Sequence, residues 1–422
     1  MPLILQLLVV TLFFVFESSR HAHADEVVWR WQESSLPDVG FDLDEATVYR
    51  VTTLANEGAG SLRQALLQQG PRLVVFEVGG VIDLKERSVR IADPQIVVAG
   101  QTAPSPGITL IKGGLQIKSS QVVVQHLRIR PGDAGKAKRS GWEPDGITTT
   151  RGPSDVWIDH CSVTWCVDEG ISPTSYKPEN GIPSKRLFVR NCIIAEGLSD
   201  STHEKGPHSK GSLIFGGTQQ VALVGNLYCS NFERNPLFQP ETSGVVVNNL
   251  ISNPGQRSIH AGSGDQMPTL SVVGNIVLFG TNTKLTSAVF EGTAEAYFDG
   301  NVGFNRQGQP IPVLRRPFET LEAPPLWPEG LETMGETETL WHVARSVGAR
   351  PGDRDATDTR IVREALTGTS RIIDSQDEVE GYPEVEPVQR PLEVPDTDRR
   401  SWLLQHSRNV GVQGSGESNQ SG

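Results

Sequence analysis

The segments VVVNNLISN (Val245–Asn253) and LSVVGNIVLFG (Leu270–Gly280) superimpose on one another, each setting an Asn among short runs of Val, Ile and Leu. Outward from them the pattern recurs in AYFDGNVGFN around Asn301, ALVGNLYCSN around Asn226, LFVRNCIIAEG around Asn191, VWIDHCSVTW around His160 and VVVQHLRIR around His126. Each copy places an Asn or His in one column with apolar residues on both sides. From Val74 to Phe304 the apolar runs are short, rich in Val and Ile, and punctuated by Gly, Asn, Asp and Ser, which reads as strands joined by turns. Steps between the column residues are 34, 31, 35, 23, 26 and 26, so the basic period lies in the low to mid twenties. That period suits an all-β, right-handed, single-stranded parallel β-helix, in which each coil adds short strands to long parallel sheets and like side chains stack ~4.8 Å apart. A leucine-rich repeat has a similar period, but its Leu-x-x-Leu-x-Leu signature is absent. Stacked amides can hydrogen-bond along a ladder and satisfy the backbone at a tight turn, so Asn226, Asn249, Asn275 and Asn301 read as structural.

The three long steps carry surplus residues in Pro131–Trp142, Ile171–Ser184 and Leu198–Ser209, each inserted at a similar place after the column residue. Loops inserted at one point of successive coils project from one side of a solenoid and build a cleft there. Ahead of the repeats, Ser61 as N-cap with Gln64 three residues on opens a short amphipathic helix ended by Gly70, placed to plug the open apolar end of the solenoid. After Phe304 the composition shifts to Pro, Glu and Arg, with short helices expected over Glu336–Val347 and Ala356–Leu366 in an extension (residues 305–402) packed on the outside of the solenoid. Residues 403–422, ending SGESNQSG, are expected to be a disordered tail.

Met1–Ala24 combines an apolar run from Leu3 to Phe16 with a small-x-small site at Ala22-His23-Ala24, the form of an export signal cleaved near Ala24. The run is short for a membrane span, and a retained signal anchor is the alternative. The expected product is a secreted protein whose solenoid domain covers residues 25–304. A net charge of −12 argues against a nucleic acid or anionic membrane as partner at large, and any acidic substrate must meet a local cluster of cations. Four cysteines in an exported chain permit disulfides without making a disulfide scaffold. Cys161 and Cys192 each follow a column residue, so on successive coils they stack within disulfide reach or form a stack of free buried thiols.

Chemistry-bearing residues gather around the coil of His160. Glu143, Asp145, Asp168 and Glu169 flank one strand and its turns, and such hard oxygen donors from separate turns suit Ca²⁺. Zinc is less expected, because His203 and His208 come without thiolates or a third histidine at recognisable spacing. Positive charge follows in HSKG (His208 to Gly211) and ERNP (Glu233 to Pro236): Lys210 leads into the coil of Asn226 and Arg234 leaves it, while Arg257 and His260 hold a comparable place after Asn249. Basic residues on adjacent coils beside an acidic site make a track for a polyanion with a divalent ion at one end.

Together, Glu143-Pro-Asp145-Gly-Ile, Val156-Trp-Ile-Asp-His-Cys161, Glu169-Gly, His208-Ser-Lys210-Gly and Arg234-Asn-Pro236 resemble the pectate lyases of polysaccharide lyase family one, over roughly Val51 to Phe304. The resemblance implies a β-elimination on a 4-linked polyuronate, with Glu143, Asp145 and Glu169 as Ca²⁺ ligands, Lys210 on the substrate carboxylate and Arg234 as the base. His208 and Arg257 are further substrate-binding candidates. Two positions depart from the family pattern: Pro173 stands where a further acidic ligand is common, for which Asp168 can compensate, and Gln239 stands where a second arginine is common, for which Arg257 can substitute. An arginine base needs burial and neighbouring cations to lose its proton, so an alkaline optimum follows. The expected protein is a monomer acting on polygalacturonate, with no nucleic-acid or membrane partner. Its rivals are a non-catalytic polysaccharide-binding β-helix, a β-helix glycoside hydrolase, for which adjacent Asp168 and Glu169 make a poor acid pair, and a lyase acting on another polyuronate.

Overall fold

The computed structural model describes residues 28–32, 36–38 and 40–411; the expected export signal lies outside them. Ten strands from Thr47–Val51 to Glu295–Asp299 form one parallel sheet with each strand pairing the next coil. A second ten-stranded sheet runs from Val78–Asp83 to Val302–Phe304 and ends on Val388–Gln389, which pairs antiparallel with Val78 and Gly79. The third face is divided into two four-stranded sheets, one from Val89–Ile91 to Ile171–Tyr176 and one from Leu213–Ile214 to Phe290–Glu291. Isolated bridges from Glu169 to Lys210 and from Lys210 to Glu233 lie at the seam between them.

Alternation along each strand decides what the sheets bury. In the first sheet Val74, Phe76, Val98, Val124, Ile158, Val189, Leu223, Val246 and Val272 point into the solenoid and form its core with residues of the other faces. The intervening Leu73, Val75, Val97, Val123, Trp157, Phe188, Ala222 and Val245 are equally buried, because Trp29, Trp31 and Leu403 from the chain ends cover them. Trp157 and Phe188 stack with centroids 3.8 Å apart. A sheet covered on both faces reads as a near-continuous apolar run, which is what VVV and VWI display.

The turn between the first two sheets corrects the expected column. His126, His160 and Asn191 take positive φ and stack with Gly225, Asn248, Gly274 and Gly300, which share that conformation. The amide ladder is one residue further on: the Asn226 amide donates to Asn249 Oδ1 at 2.9 Å, Asn249 to Asn275 Oδ1 at 3.0 Å and Asn275 to Asn301 Oδ1 at 3.1 Å. At its near end the ladder continues through Cys192, whose amide donates to Asn226 Oδ1, to Cys161. Asn suits both a left-handed turn and an amide ladder, so the type of residue alone does not separate the two positions. All four cysteines are buried free thiols.

Helix α1 (Leu62–Leu66) starts at Ser61, whose hydroxyl accepts the Gln64 amide, and buries Leu62, Ala65 and Leu66 against the first coils. Helices α2 (Glu336–Ser346) and α3 (Ala356–Thr367) cover the outer face of the second sheet, setting Val343, Val347, Ile361 and Ala365 on Ile193, Leu227, Leu250 and Ile276. The N-terminus of α3 is bonded to the solenoid by buried charge: Arg130 reaches Asp355 at 2.8 Å and Asp358 at 3.0 Å, and Ser162 donates to Asp358 at 2.6 Å. Residues 403–411, expected in a disordered tail, instead belong largely to helix α4 (Arg399–Val410). Asp44 accepts the amides of Asp398 and Arg399 at 2.8 and 2.9 Å, and Arg399 donates to the carbonyls of Leu43 and Ala46. No helix among the described residues is long and apolar enough to cross a membrane.

Candidate active site

Each coil contributes its site residue at the same point, the turn leading into its third-face strand. Asp145 precedes the strand starting at Ile147, Asp168 and Glu169 the one at Ile171, Lys210 the one at Leu213, Glu233 and Arg234 the one at Leu237, and Arg257 the one at Ile259. Residues far apart in the chain thereby become neighbours along a ladder whose rungs are one strand spacing apart.

At the acidic end, ligand atoms of Asp145, Asp168 and Glu169 lie within 4.8 Å of one another. Burial and then the charge of Asp168 push the Asp145 carboxyl up to about 8, with Arg234 acting the other way. Asp168 is held below its ordinary range: burial would raise it, but the hydrogen bond and charge of His208 outweigh that. Asp168 thus stands beside Asp145 and Glu169. Glu143, expected as a ligand of the same ion, is not part of this triad. Its Oε1 accepts the Glu204 amide at 2.8 Å and lies 3.2 Å from His203 Nδ1, because the Leu198–Ser209 loop folds over Trp142 and Glu143.

Arg234 has φ 63°, a left-handed conformation uncommon outside glycine, and its Nη1 bonds Glu169 Oε1. Its Nε is buried without a hydrogen-bond partner, and burial lowers its pKa against the pull of Asp168 and Asp145. On the neighbouring rung Lys210 Nζ bonds Glu233 Oε1 at 2.5 Å. Glu233 was passed over in the sequence, although it adjoins Arg234; only the coil register reveals that it faces Lys210. Burial would raise the Glu233 carboxyl, and Lys210 lowers it below its ordinary range.

Arg257 lines a groove of about 490 Å³ together with Glu233, Arg234, Gln239 and His260. The groove continues into a wider one of about 630 Å³ that adds Lys284, Arg315 and Arg316. His208, expected on substrate, turns instead to Asp168, with Nε2 2.9 Å from Oδ1.

A carboxylate triad, a desolvated arginine and a basic groove suit a reaction that removes a proton beside a negatively charged group. No protein-family profile matches the chain. It is 32% identical over 333 residues to a probable pectate lyase C of Aspergillus oryzae, covering 75% of this chain and 72% of that one. It is also 32% identical over 352 residues to the probable pectate lyase C of Neosartorya fischeri, covering 80% and 76%. Among solved structures, a thermostable pectate lyase superimposes with a TM-score of 0.52 at 14% identity, over 72% of this chain and 93% of that one. The major allergen of cedar pollen does so with a TM-score of 0.51 at 16% identity, over 71% and 88%. Those two share the parallel β-helix, and identity near a third across most of the fungal chains carries the closer relationship: this protein belongs to the pectate lyase family of polysaccharide lyases.

Proposed function

We propose that the protein cleaves (1,4)-linked galacturonan in de-esterified pectin by Ca²⁺-dependent β-elimination, as an exported monomer whose Met1–Ala24 is a cleaved signal. The observation that carries this reading is the meeting of Asp145, Asp168 and Glu169 beside desolvated Arg234. Burial and then the charge of Asp168 make Asp145 reluctant to ionise, and an all-oxygen set from separate turns is the donor chemistry of Ca²⁺. When bound, Ca²⁺ would neutralise carboxylate charge and stabilise the negative charge that develops beside the uronate carboxylate.

The chain's own residues supply the rest. Lys210 and Arg257 attract the anionic polymer, and Lys210 can exchange its partner Glu233 for a substrate carboxylate. Arg234, once neutral, takes the proton from C5; the electron pair of that C–H bond forms the C4–C5 double bond as the C4–O bond breaks, and the leaving oxygen gains a proton from water. Lys210 then opposes the charge that builds on the carboxylate in the transition state.

The test is to follow the ultraviolet absorbance of the unsaturated uronide during incubation with polygalacturonate at alkaline pH, with Ca²⁺ and with chelator, for wild type and Arg234→Ala. Absorbance that requires both the ion and Arg234 supports the reading. A flat trace from folded wild-type protein with Ca²⁺ overturns it.

A further inference from the structure

Beside Asp168 stand two imidazoles in contact. The rings of His203 and His208 stack with centroids 3.8 Å apart and planes 15° from parallel. Both Nε2 atoms approach one oxygen, Asp168 Oδ1, at 3.9 Å for His203 and 2.9 Å for His208. The longer of these is beyond a hydrogen bond. Ligand atoms of the three residues all lie within 4.8 Å of one another. Donors bonded at 2.0–2.1 Å to a tetrahedral ion stand about 3.3 Å apart, which the two observed distances bracket.

The surroundings are built to hold these rings. The His203 side chain is 2% exposed. The His208 amide donates to the Ser199 carbonyl at 3.0 Å, Thr202 donates to the Trp142 carbonyl at 2.5 Å, and the amides of Ser199 and Asp200 bond Ile373 and Asp374 of the extension. Glu143 Oε1 lies 3.2 Å from His203 Nδ1, and the Lys205 amide donates to the same nitrogen at 3.2 Å. A metal on Nε2 requires the tautomer in which Nδ1 gives up the Lys205 hydrogen bond and donates to Glu143 instead, the carboxylate–histidine pairing that orients a metal-binding imidazole. This gives Glu143 a partner and a task outside the triad.

The geometry points to a second metal site, for a zinc-like divalent transition ion, made by His203 Nε2, His208 Nε2 and Asp168, with Glu143 as the residue that orients His203. Nitrogen and oxygen donors select such an ion over Ca²⁺, which prefers oxygen alone, so this set differs in the ion it favours from the carboxylate triad with which it shares Asp168. The inference concerns the two histidines and does not require the proposed elimination.

The experiment is calorimetric titration of untagged protein with Zn²⁺ under saturating Ca²⁺, paired with Co²⁺ titration followed by visible absorption. The expected result is one equivalent of Zn²⁺ in wild type, a tetrahedral Co²⁺ spectrum, unchanged binding in Arg234→Ala, and at least a tenfold loss in His208→Ala. Glu143→Gln, which leaves all three ligands in place, is expected to weaken binding about 10–100-fold and covers the case in which His208→Ala does not fold. No bound zinc, zinc stoichiometrically displaced by Ca²⁺, or equal affinity in folded His208→Ala and Glu143→Gln would each overturn the site. Uronide release is not a readout here, so failure of this site and failure of the lyase reading remain separable.

Discussion

Arg234 must be neutral before it can accept a proton, and its surroundings pull in two directions. Burial lowers its pKa while Asp168 and Asp145 raise it, with burial the larger. The neutral fraction grows as pH rises, so kcat/KM is expected to climb through the alkaline range, and a pH–rate profile that peaks in acid would contradict the assignment. Replacing Arg234 by Ala should cost about 10²–10⁴-fold in rate, the usual contribution of a positioned base. Glu233 is the second residue with a clear consequence. It bonds Lys210 at 2.5 Å beside the groove proposed to take a polyanion, so Glu233→Gln is expected to lower KM for polygalacturonate several-fold; a raised KM would mean that Glu233 instead orients Lys210 for binding. At this scale local motifs singled out Asp145, Glu169, Lys210 and Arg234, and the coil register brings these four together. The meeting of His203 and His208 with Asp168 was hidden, because the third donor comes from the preceding coil and no spacing along the chain encodes it.

Each coil is a repeating element whose turn demands one residue that tolerates positive φ and, next to it, one that supports the ladder. Asn249 links the amides of Asn226 and Asn275, accepting from both the backbone and side chain of Asn226 and donating to Asn275 Oδ1 at 2.9 Å. Asn249→Ala leaves buried donors without an acceptor and is expected to lower stability by about 1–3 kcal/mol, read by chemical denaturation, with little effect on activity per folded molecule. The repeat period was legible in the Asn226, Asn249, Asn275 and Asn301 segments, where Gly or Asn precedes the ladder residue. It slipped by one at Asn191, His160 and His126, because the ladder position there is filled by Cys192, Cys161 and Leu127, which carry no amide. Helices α2 and α3 were legible from their composition. Helix α4 was not, since its pattern, RRSWLLQHSRNV, offers few apolar anchors and depends on Asp44 from the other end of the chain.

Across the whole molecule, buried ion pairs join the extension to the solenoid. The Asp355 carboxyl would be raised by burial, but Arg130 and Arg128 bring it down to about 2. A carboxylate depressed in the folded state contributes stability that is complete above its unfolded pKa near 4 and is lost as pH falls through about 2. Stability measured by denaturant between those limits should therefore fall more steeply in wild type than in Asp355→Asn, and equal slopes would show that the pair does not report on folding. The same wrapping has a consequence in time. The capping of helix α4 by Asp44 joins positions separated by about 355 residues, and Leu403 covers the outer face of strands laid down far earlier. A chain made from its N-terminus exposes these strands before helix α4 exists, so the outer face of the first sheet is covered late, against the entropy of closing a very long loop.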